Sequence, residues 1–134
     1  MIVQGKLRIA LEAYQQSLKI RQTLVEQDKS KADWQKGLAV PYERVGNVLV
    51  TQGKFRDALD AYQQDLVIMK RLAGQDKSNS GWQRDLSVSY GKAGNVLVAQ
   101  GKLQDALEAY QQYLAIVERL SSSKIKPTPP GSGI

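Results

Sequence analysis

Six carboxylates recur along the chain at spacings that could bring acidic groups together, and paired carboxylates are a usual source of general acid–base chemistry. They are Glu12, Asp57, Asp60, Asp65, Asp105 and Glu108. The 134-residue chain has no histidine and no cysteine, so the commonest general base, the thiolate nucleophile and the commonest metal ligands are missing. We therefore interpret these carboxylates as helix-start and surface charges. We predict a protein that is not an enzyme, with no catalytic residue, metal site or cofactor.

Two tryptophans and one glycine-rich stretch are the other candidates for ligand chemistry. Trp34 and Trp82 could stack on a base or another flat ligand, but each stands at the same place in a repeat, which favours packing. The stretch GKAG at Gly91–Gly94 lies within a helical pattern and follows no strand, so it does not predict a phosphate-binding loop.

The overall composition is that of one globular domain. Hydrophobic residues make up 42% and charged residues 24%, and the net charge is +6, from 19 basic and 13 acidic residues. This excess permits acidic partners, so binding of nucleic acid stays open as an alternative function. No apolar run is long enough to span a membrane, and the N-terminus lacks the pattern of a signal peptide. We expect a cytoplasmic protein without a membrane partner.

The strongest signal is an internal repeat of 48 residues. GNVLVTQGK at Gly46–Lys54 recurs as GNVLVAQGK at Gly94–Lys102. Shifting the chain by 48 aligns 5–52 with 53–100, and more than half of the aligned positions are identical. Such self-similarity is typical of stacked repeats, in which each unit packs on its neighbours.

Apolar residues within each unit recur every three or four positions, which predicts amphipathic helices. Gly53 suits a left-handed helix stop, and Ser78 or Ser80 could cap the helix that follows. Pro41 falls inside a helix, where we expect a kink rather than a break. The predicted helices span 6–26, 33–52, 54–73, 81–100 and 102–120.

Gly46 and Gly94 fall inside predicted helices, where glycine costs about 1 kcal/mol relative to alanine. A close approach of paired helices would explain that cost. Repeated tyrosines at positions 14, 62 and 110 are expected in the core.

The stretches 42–68 and 90–116 resemble the tetratricopeptide repeat, in which an aromatic, a glycine, a large apolar residue, a turn glycine, an alanine and a second aromatic follow at set spacings. Tyr42, Val45, Gly46, Leu49, Gly53, Phe55, Ala58 and Tyr62 fill the first copy, and Tyr90, Ala93, Gly94, Leu97, Gly101, Leu103, Ala106 and Tyr110 fill the second. The family's usual unit has 34 residues, so this chain is more similar to the long-unit arrays of large bacterial signalling and scaffold proteins.

The resemblance implies an all-α solenoid of antiparallel helices with a right-handed superhelix, whose first helices line a concave groove for a peptide or protein segment. It places Asn47 and Asn95 in that groove, with Arg44 and Lys92 three positions before them. Asparagine can bond a peptide backbone and a cation can hold a carboxylate, so we expect these groups to carry recognition rather than stability. Alternatively, the asparagines bond neighbouring backbone and the cations are solvated.

The repeat array is expected to cover 1–120, as a half-unit at 1–26 and units at 33–73 and 81–120. Residues 121–134 would form an extended Pro/Ser/Gly-rich tail able to dock in a groove. Both ends of the array would present apolar stripes, and we predict self-association through them. The stripe residues are Leu7, Leu11, Tyr14 and Leu18 in the first helix and Leu107 and Leu114 in the last. A two-fold dimer is favoured, and a head-to-tail filament stays open. A structural fragment of a larger signalling protein that mainly self-associates is a further alternative.

Overall fold

The computed structural model describes residues 2–124 and shows five α-helices, with no strand in that range. The all-α prediction is therefore confirmed. The helices are α1 (Ile2–Gln27), α2 (Ala32–Thr51), α3 (Phe55–Gln75), α4 (Ser80–Ala99) and α5 (Leu103–Lys124). Helix α5 takes in four residues that the sequence analysis assigned to the tail. The predicted extended path is therefore wrong for 121–124, and the rest of the tail, with its predicted docking, lies outside the described range.

Each helix packs on the next one along the chain, so the core runs through the stack in two clusters. One cluster centres on Leu38, Met69 and Leu72 and reaches Ile116 in α5. The other surrounds Ala58, which is fully buried between helices. Because each cluster joins at least three helices, the units are held together by shared apolar surface rather than by their loops.

The tight turns within units depend on Gly53 and Gly101, both of which have φ of 75°. The Gly53 N–H donates to the Val50 carbonyl, and the Lys54 N–H donates to the Leu49 carbonyl at 2.8 Å. Only glycine takes this left-handed conformation at low cost, so the predicted stop at Gly53 is confirmed.

The start of α4 differs from the prediction. Asn79 is the capping residue, and its Oδ1 accepts from the Trp82 N–H at 3.0 Å. The Ser78 hydroxyl instead donates to Asp76 Oδ1 at 2.5 Å. The expectation of a cap at Ser78 or Ser80 is therefore wrong, because Asp76 engages the serine before the helix begins.

Helix α2 runs without a break through Pro41, which is buried. The residue four positions earlier is Gly37, so the carbonyl that loses its hydrogen bond belongs to a residue without a side chain. The expectation that the helix does not break is confirmed, and the kink stays a prediction.

Gly46 and Gly94 allow the close helix approach that the sequence predicted. A methyl group built on Gly46 would lie 2.6 Å from Tyr62 Cδ1, and one on Gly94 would lie 2.6 Å from Tyr110 Cε1. Each tyrosine ring thus lies directly on the backbone of the preceding helix. Tyr62 is buried, as expected, whereas Tyr14 and Tyr110 are half-buried because each belongs to a terminal helix.

We expect Gly46→Ala to lower the free energy of unfolding by roughly 2–3 kcal/mol, because the added methyl group overlaps the buried Tyr62 ring. Gly74→Ala is the matched control, since a Cβ there meets nothing within 4 Å, and we expect it to be neutral or stabilising by up to about 1 kcal/mol. Urea denaturation followed by circular dichroism measures both. Equal stabilities for the two variants would contradict the close approach.

Candidate functional site

The predicted groove residues lie on two helices, Arg44 and Asn47 on α2 and Lys92 and Asn95 on α4. Lys92 Nζ lies 3.1 Å from Asn47 Oδ1 and 2.6 Å from Glu43 Oε1. The structure therefore brings Asn47 and Lys92 together across the two units. Arg44 and Asn95 are exposed. Lys92 is paired rather than freely solvated, and Glu43 is a partner that the sequence reasoning missed.

Both asparagines accept a hydrogen bond from a tyrosine of the following helix. The Tyr62 hydroxyl donates to Asn47 Oδ1 at 2.6 Å, and the Tyr110 hydroxyl donates to Asn95 Oδ1 at 2.5 Å. Both hydrogen bonds join two side chains. The alternative prediction, in which the asparagine side chains bond neighbouring backbone, does not describe these contacts. They use only the amide oxygens, and each side chain still has its Nδ2 donors for a ligand.

The Tyr62 hydroxyl is protonated at physiological pH. Burial raises the pKa of Tyr62 to about 12, and the nearby carboxylates of Glu43 and Asp65 contribute to this rise. The hydroxyl therefore remains a donor to Asn47. Removing Asn47 would strand a buried hydroxyl, so this residue contributes to stability as well as to any recognition.

Two hollows flank the side chains of Lys92 and Asn95, which line both of them. One has a volume of about 280 Å³ and includes Phe55 and Tyr62, and the other has about 400 Å³ and includes Val88. Amide and ammonium groups thus stand between two largely apolar depressions, which suits a ligand with both polar and apolar groups.

Two ion pairs join the first helices of neighbouring units in parallel register. Lys36 pairs with Asp85, and Glu43 pairs with Lys92. The partners are 49 residues apart in both pairs, and the pairs lie seven residues apart along each helix. A slip of one unit against the other would break both pairs, so together they fix the alignment of the repeats.

Asp65 is buried, and the prediction that it is a surface charge is wrong. Its side chain lies between α3 and α4, where Asp65 Oδ2 accepts from the Ser89 hydroxyl at 2.8 Å. That hydroxyl also lies 3.0 Å from the Asp85 carbonyl oxygen. Burial raises the pKa of Asp65 to about 6, although the bond from Ser89 and the charges of Lys92 and Lys36 oppose the rise.

Apart from Asp65, the six carboxylates that recur along the sequence are exposed, as expected. Among residues 2–124 no three acidic side chains come together in a way that could hold a metal ion. Trp34 and Trp82 are half-buried rather than fully in the core. Trp82 packs against the core cluster, and the Lys31 ammonium lies 4.1 Å from the centre of the Trp34 ring.

The two predicted apolar stripes differ in exposure. Leu7, Leu11, Tyr14 and Leu18 are all half-buried, with the last three packed against the core, because α1 rests on α2. The expectation that this stripe faces water is therefore wrong. In α5 the stripe is open, with Leu107 and Leu114 each 49% exposed.

The raised pKa of Asp65 predicts a pH-dependent stability. The folded-state pKa of about 6 exceeds the ordinary aspartate value of 3.8, so the contribution from neutral Asp65 is complete below about pH 4 and is lost as the pH rises through 6. The quantity to compare is the free energy of unfolding of Asp65→Asn minus that of the unchanged chain. We expect this difference to increase by roughly 2–3 kcal/mol between about pH 4 and pH 7.5. Urea unfolding at a series of pH values measures this difference.

Asp60→Asn provides the matched control, because Asp60 is an exposed carboxylate on the same helix. We expect its difference from the unchanged chain to stay flat over the same range. A flat curve for Asp65→Asn as well would contradict the raised pKa.

Comparison with known proteins agrees with this architecture. Residues 42–77 match the family model described as Tetratricopeptide repeat, which covers the second half of α2, all of α3 and the start of the next loop. No curated protein matches the chain. In the described part of the chain no helix has the length and apolar character needed to cross a membrane. Tetratricopeptide repeats are generally non-catalytic and mediate contacts between proteins. This match, the internal repetition and the five stacked helices together support a helical repeat protein of the tetratricopeptide type.

Proposed function

We propose that the protein is an interaction module that binds an extended segment of a partner protein along the first helices of its units, α2 and α4. The observation that carries this proposal is the placement of Lys92 and Asn95 between two hollows, with Asn47 within hydrogen-bond distance of Lys92. A groove of this kind, the superhelix that would make it concave and a cytoplasmic location are parts of the proposal.

The chemistry of this surface favours a segment that carries both a carboxylate and apolar side chains. Arg44 is exposed and can hold a carboxylate through two parallel hydrogen bonds. The exposed Asn95 can donate from Nδ2 to a peptide carbonyl. Val40 and Val88, one turn before Arg44 and Lys92, are 40% and 39% exposed and offer apolar contact. A peptide that ends in a free carboxylate beside an apolar side chain would offer a partner to each of these groups.

The test begins with a displayed library of random peptides that have free carboxyl ends. We expect Arg44→Ala combined with Asn95→Ala to weaken the best selected peptide by about tenfold or more, because a charge-assisted bond and an amide bond are lost. Amidation of the peptide's carboxyl end should have a similar effect. Fluorescence anisotropy measures affinity, and thermal unfolding should be nearly unchanged.

Arg71→Ala is the control, since Arg71 is an exposed arginine on the second helix α3. Asn47 is left intact, because its loss would strand the Tyr62 hydroxyl and confuse binding with stability. If the double variant binds the peptide normally, or if the library yields no binder, the groove proposal is refuted.

We also propose self-association, now through α5 alone. Inside the stack, α4 packs on α3. The residue of α3 that corresponds to Leu107 is Leu59, which is only 8% exposed. No described helix covers α5 in this way. The α1 leucines are already packed on α2, which disfavours a head-to-tail contact. A two-fold pairing of α5 helices would bury Leu107 and Leu114 in both copies, and we favour this dimer.

We expect Leu107→Lys with Leu114→Lys to convert a concentration-dependent dimer to a monomer, because two charges would enter an apolar contact. Size-exclusion chromatography with light scattering at several concentrations measures the mass. Val67→Lys on α3 is the control, since Val67 is 52% exposed outside the stripe. A monomer mass for the unchanged chain at every concentration would rule out the dimer.

A further inference from the structure

A separate depression lies where the ends of α3 and α5 meet the beginning of α4. It consists of two adjoining hollows, of about 460 and 190 Å³, that share Lys77, Gln83, Ile116 and Arg119. We call the two together the basic hollow. None of the four proposed groove residues lines it. It is therefore a second surface, separate from the residues of the proposed groove.

The rim of the basic hollow is positively charged. Lys70, Lys77 and Arg119 contribute exposed cations, and no aspartate or glutamate is among the lining residues. Over residues 2–124 none of these three cations forms an ion pair. The acidic residue next to Lys77 is Asp76, whose Oδ1 accepts from the backbone and hydroxyl of Ser78 instead. Three cations without a carboxylate partner favour an anionic ligand.

The floor of the basic hollow is apolar and well ordered by its neighbours. Ile116 is 3% and Leu86 is 9% exposed, so only their edges reach the hollow, and the half-buried Leu120 and Tyr90 extend the apolar surface. Gln83 is held by a bond from its Nε2 to the Ala73 carbonyl at 3.1 Å. An apolar floor below a cationic rim suits a ligand in which an apolar group lies between negative charges.

One of the three rim cations, Lys70, has no basic counterpart one repeat earlier, whereas Lys77 and Arg119 correspond to Lys29 and Arg71. In the first unit, Gln22 corresponds to Lys70 and Tyr42 to Tyr90. There the Gln22 Nε2 donates to the Tyr42 hydroxyl at 2.8 Å, so a neutral side chain bridges the equivalent place. Lys70 adds a cation in place of that amide. The packing of the repeat does not require a cation at the position of Lys70, because the first unit has Gln22 there.

We infer that the basic hollow binds a short acidic segment of a partner protein, with one aliphatic side chain seated on Ile116 and carboxylates flanking it at Lys70, Lys77 and Arg119. A protein segment fits better than a nucleic acid. Phosphates could meet the three cations, but bases bind single-strand sites by stacking on flat aromatic faces, and the lining offers only the half-buried Tyr90.

The test uses a labelled 12-residue peptide with glutamates on both sides of one central leucine, titrated with the full chain at about 0.1 M salt, where the Debye length is about 10 Å. We expect Lys77→Glu with Arg119→Glu to weaken binding at least tenfold, because two attractive charges become repulsive. Replacing the peptide's leucine by alanine should weaken binding about fivefold to tenfold, the value of a largely buried aliphatic side chain. Methyl NMR signals of Leu86, Ile116 and Leu120 should shift on addition of the peptide.

Lys54→Glu with Arg56→Glu is the matched control, with the same change in net charge at exposed positions on the other end of α3. We expect it to weaken binding less than threefold, since the salt screens distant charges. Equal losses for the two double variants would mean non-specific attraction and would overturn the inference. So would the absence of binding at millimolar peptide, methyl shifts confined to Val88 and Val96 of the groove hollows, or tighter binding of a single-stranded oligonucleotide.

One other possible occupant of the basic hollow is the segment 125–134 of the chain itself. A shortened chain that ends at Lys124 tests this alternative. We expect the acidic peptide to bind this shortened chain within about threefold of the full chain, because that segment contains a lysine and no acidic side chain to compete for the cations. A rise in affinity of more than tenfold would identify the tail as the occupant and overturn the inference of a partner segment.

Discussion

The contact between a tyrosine ring and a glycine backbone is the constraint on which each helical unit depends. Tyr62 lies on Gly46, and its hydroxyl reaches the very next residue, Asn47. The same contact recurs with Tyr110, Gly94 and Asn95. Glycine permits the close approach, and asparagine supplies an acceptor for the tyrosine hydroxyl, which the buried Tyr62 needs more than the half-buried Tyr110. This explains why the dipeptide Gly-Asn recurs with the tyrosine sixteen residues after the glycine, even though glycine weakens a helix.

Much of the fold could be predicted because the signals are local and periodic. The five helices, the glycine turns and the close approach at Gly46 all follow from spacing within one unit. The helix ends were less accurate, since competing local bonds decide them. At the start of α4, Ser78 is engaged by Asp76, and Asn79 takes over the capping bond. Two side chains with similar capping ability cannot be ranked without the loop geometry.

The candidate site was less predictable, because its contacts join residues from different units. Asp65 falls at a position occupied by Ser17 in the half-unit and by Tyr113 in the last helix. Nothing in the repeat marks it as buried, and its partner Ser89 stands where the first unit has Pro41. Likewise, the pairing of Lys92 with Glu43 depends on how two units align. Residues shared between units thus build the hairpin and the apolar core, whereas the acceptors Glu43 and Asp65, which form polar contacts between units, stand at positions that differ from unit to unit.

The polar contacts between units have a consequence for the open face of α5. Partly buried ion pairs and the Asp65–Ser89 bond add little net stability, since desolvation offsets most of the attraction, but they penalise a wrong register. At the positions of the two acceptors Glu43 and Asp65, the last unit has Gly91 and Tyr113. A helix like α4 docking there would bury its lysine and serine without acceptors, at a cost of several kcal/mol. The open face is thus chemically unlike the contact between α3 and α4 inside the stack, so it selects against another copy of the same repeat helix and favours an apolar surface such as a second α5.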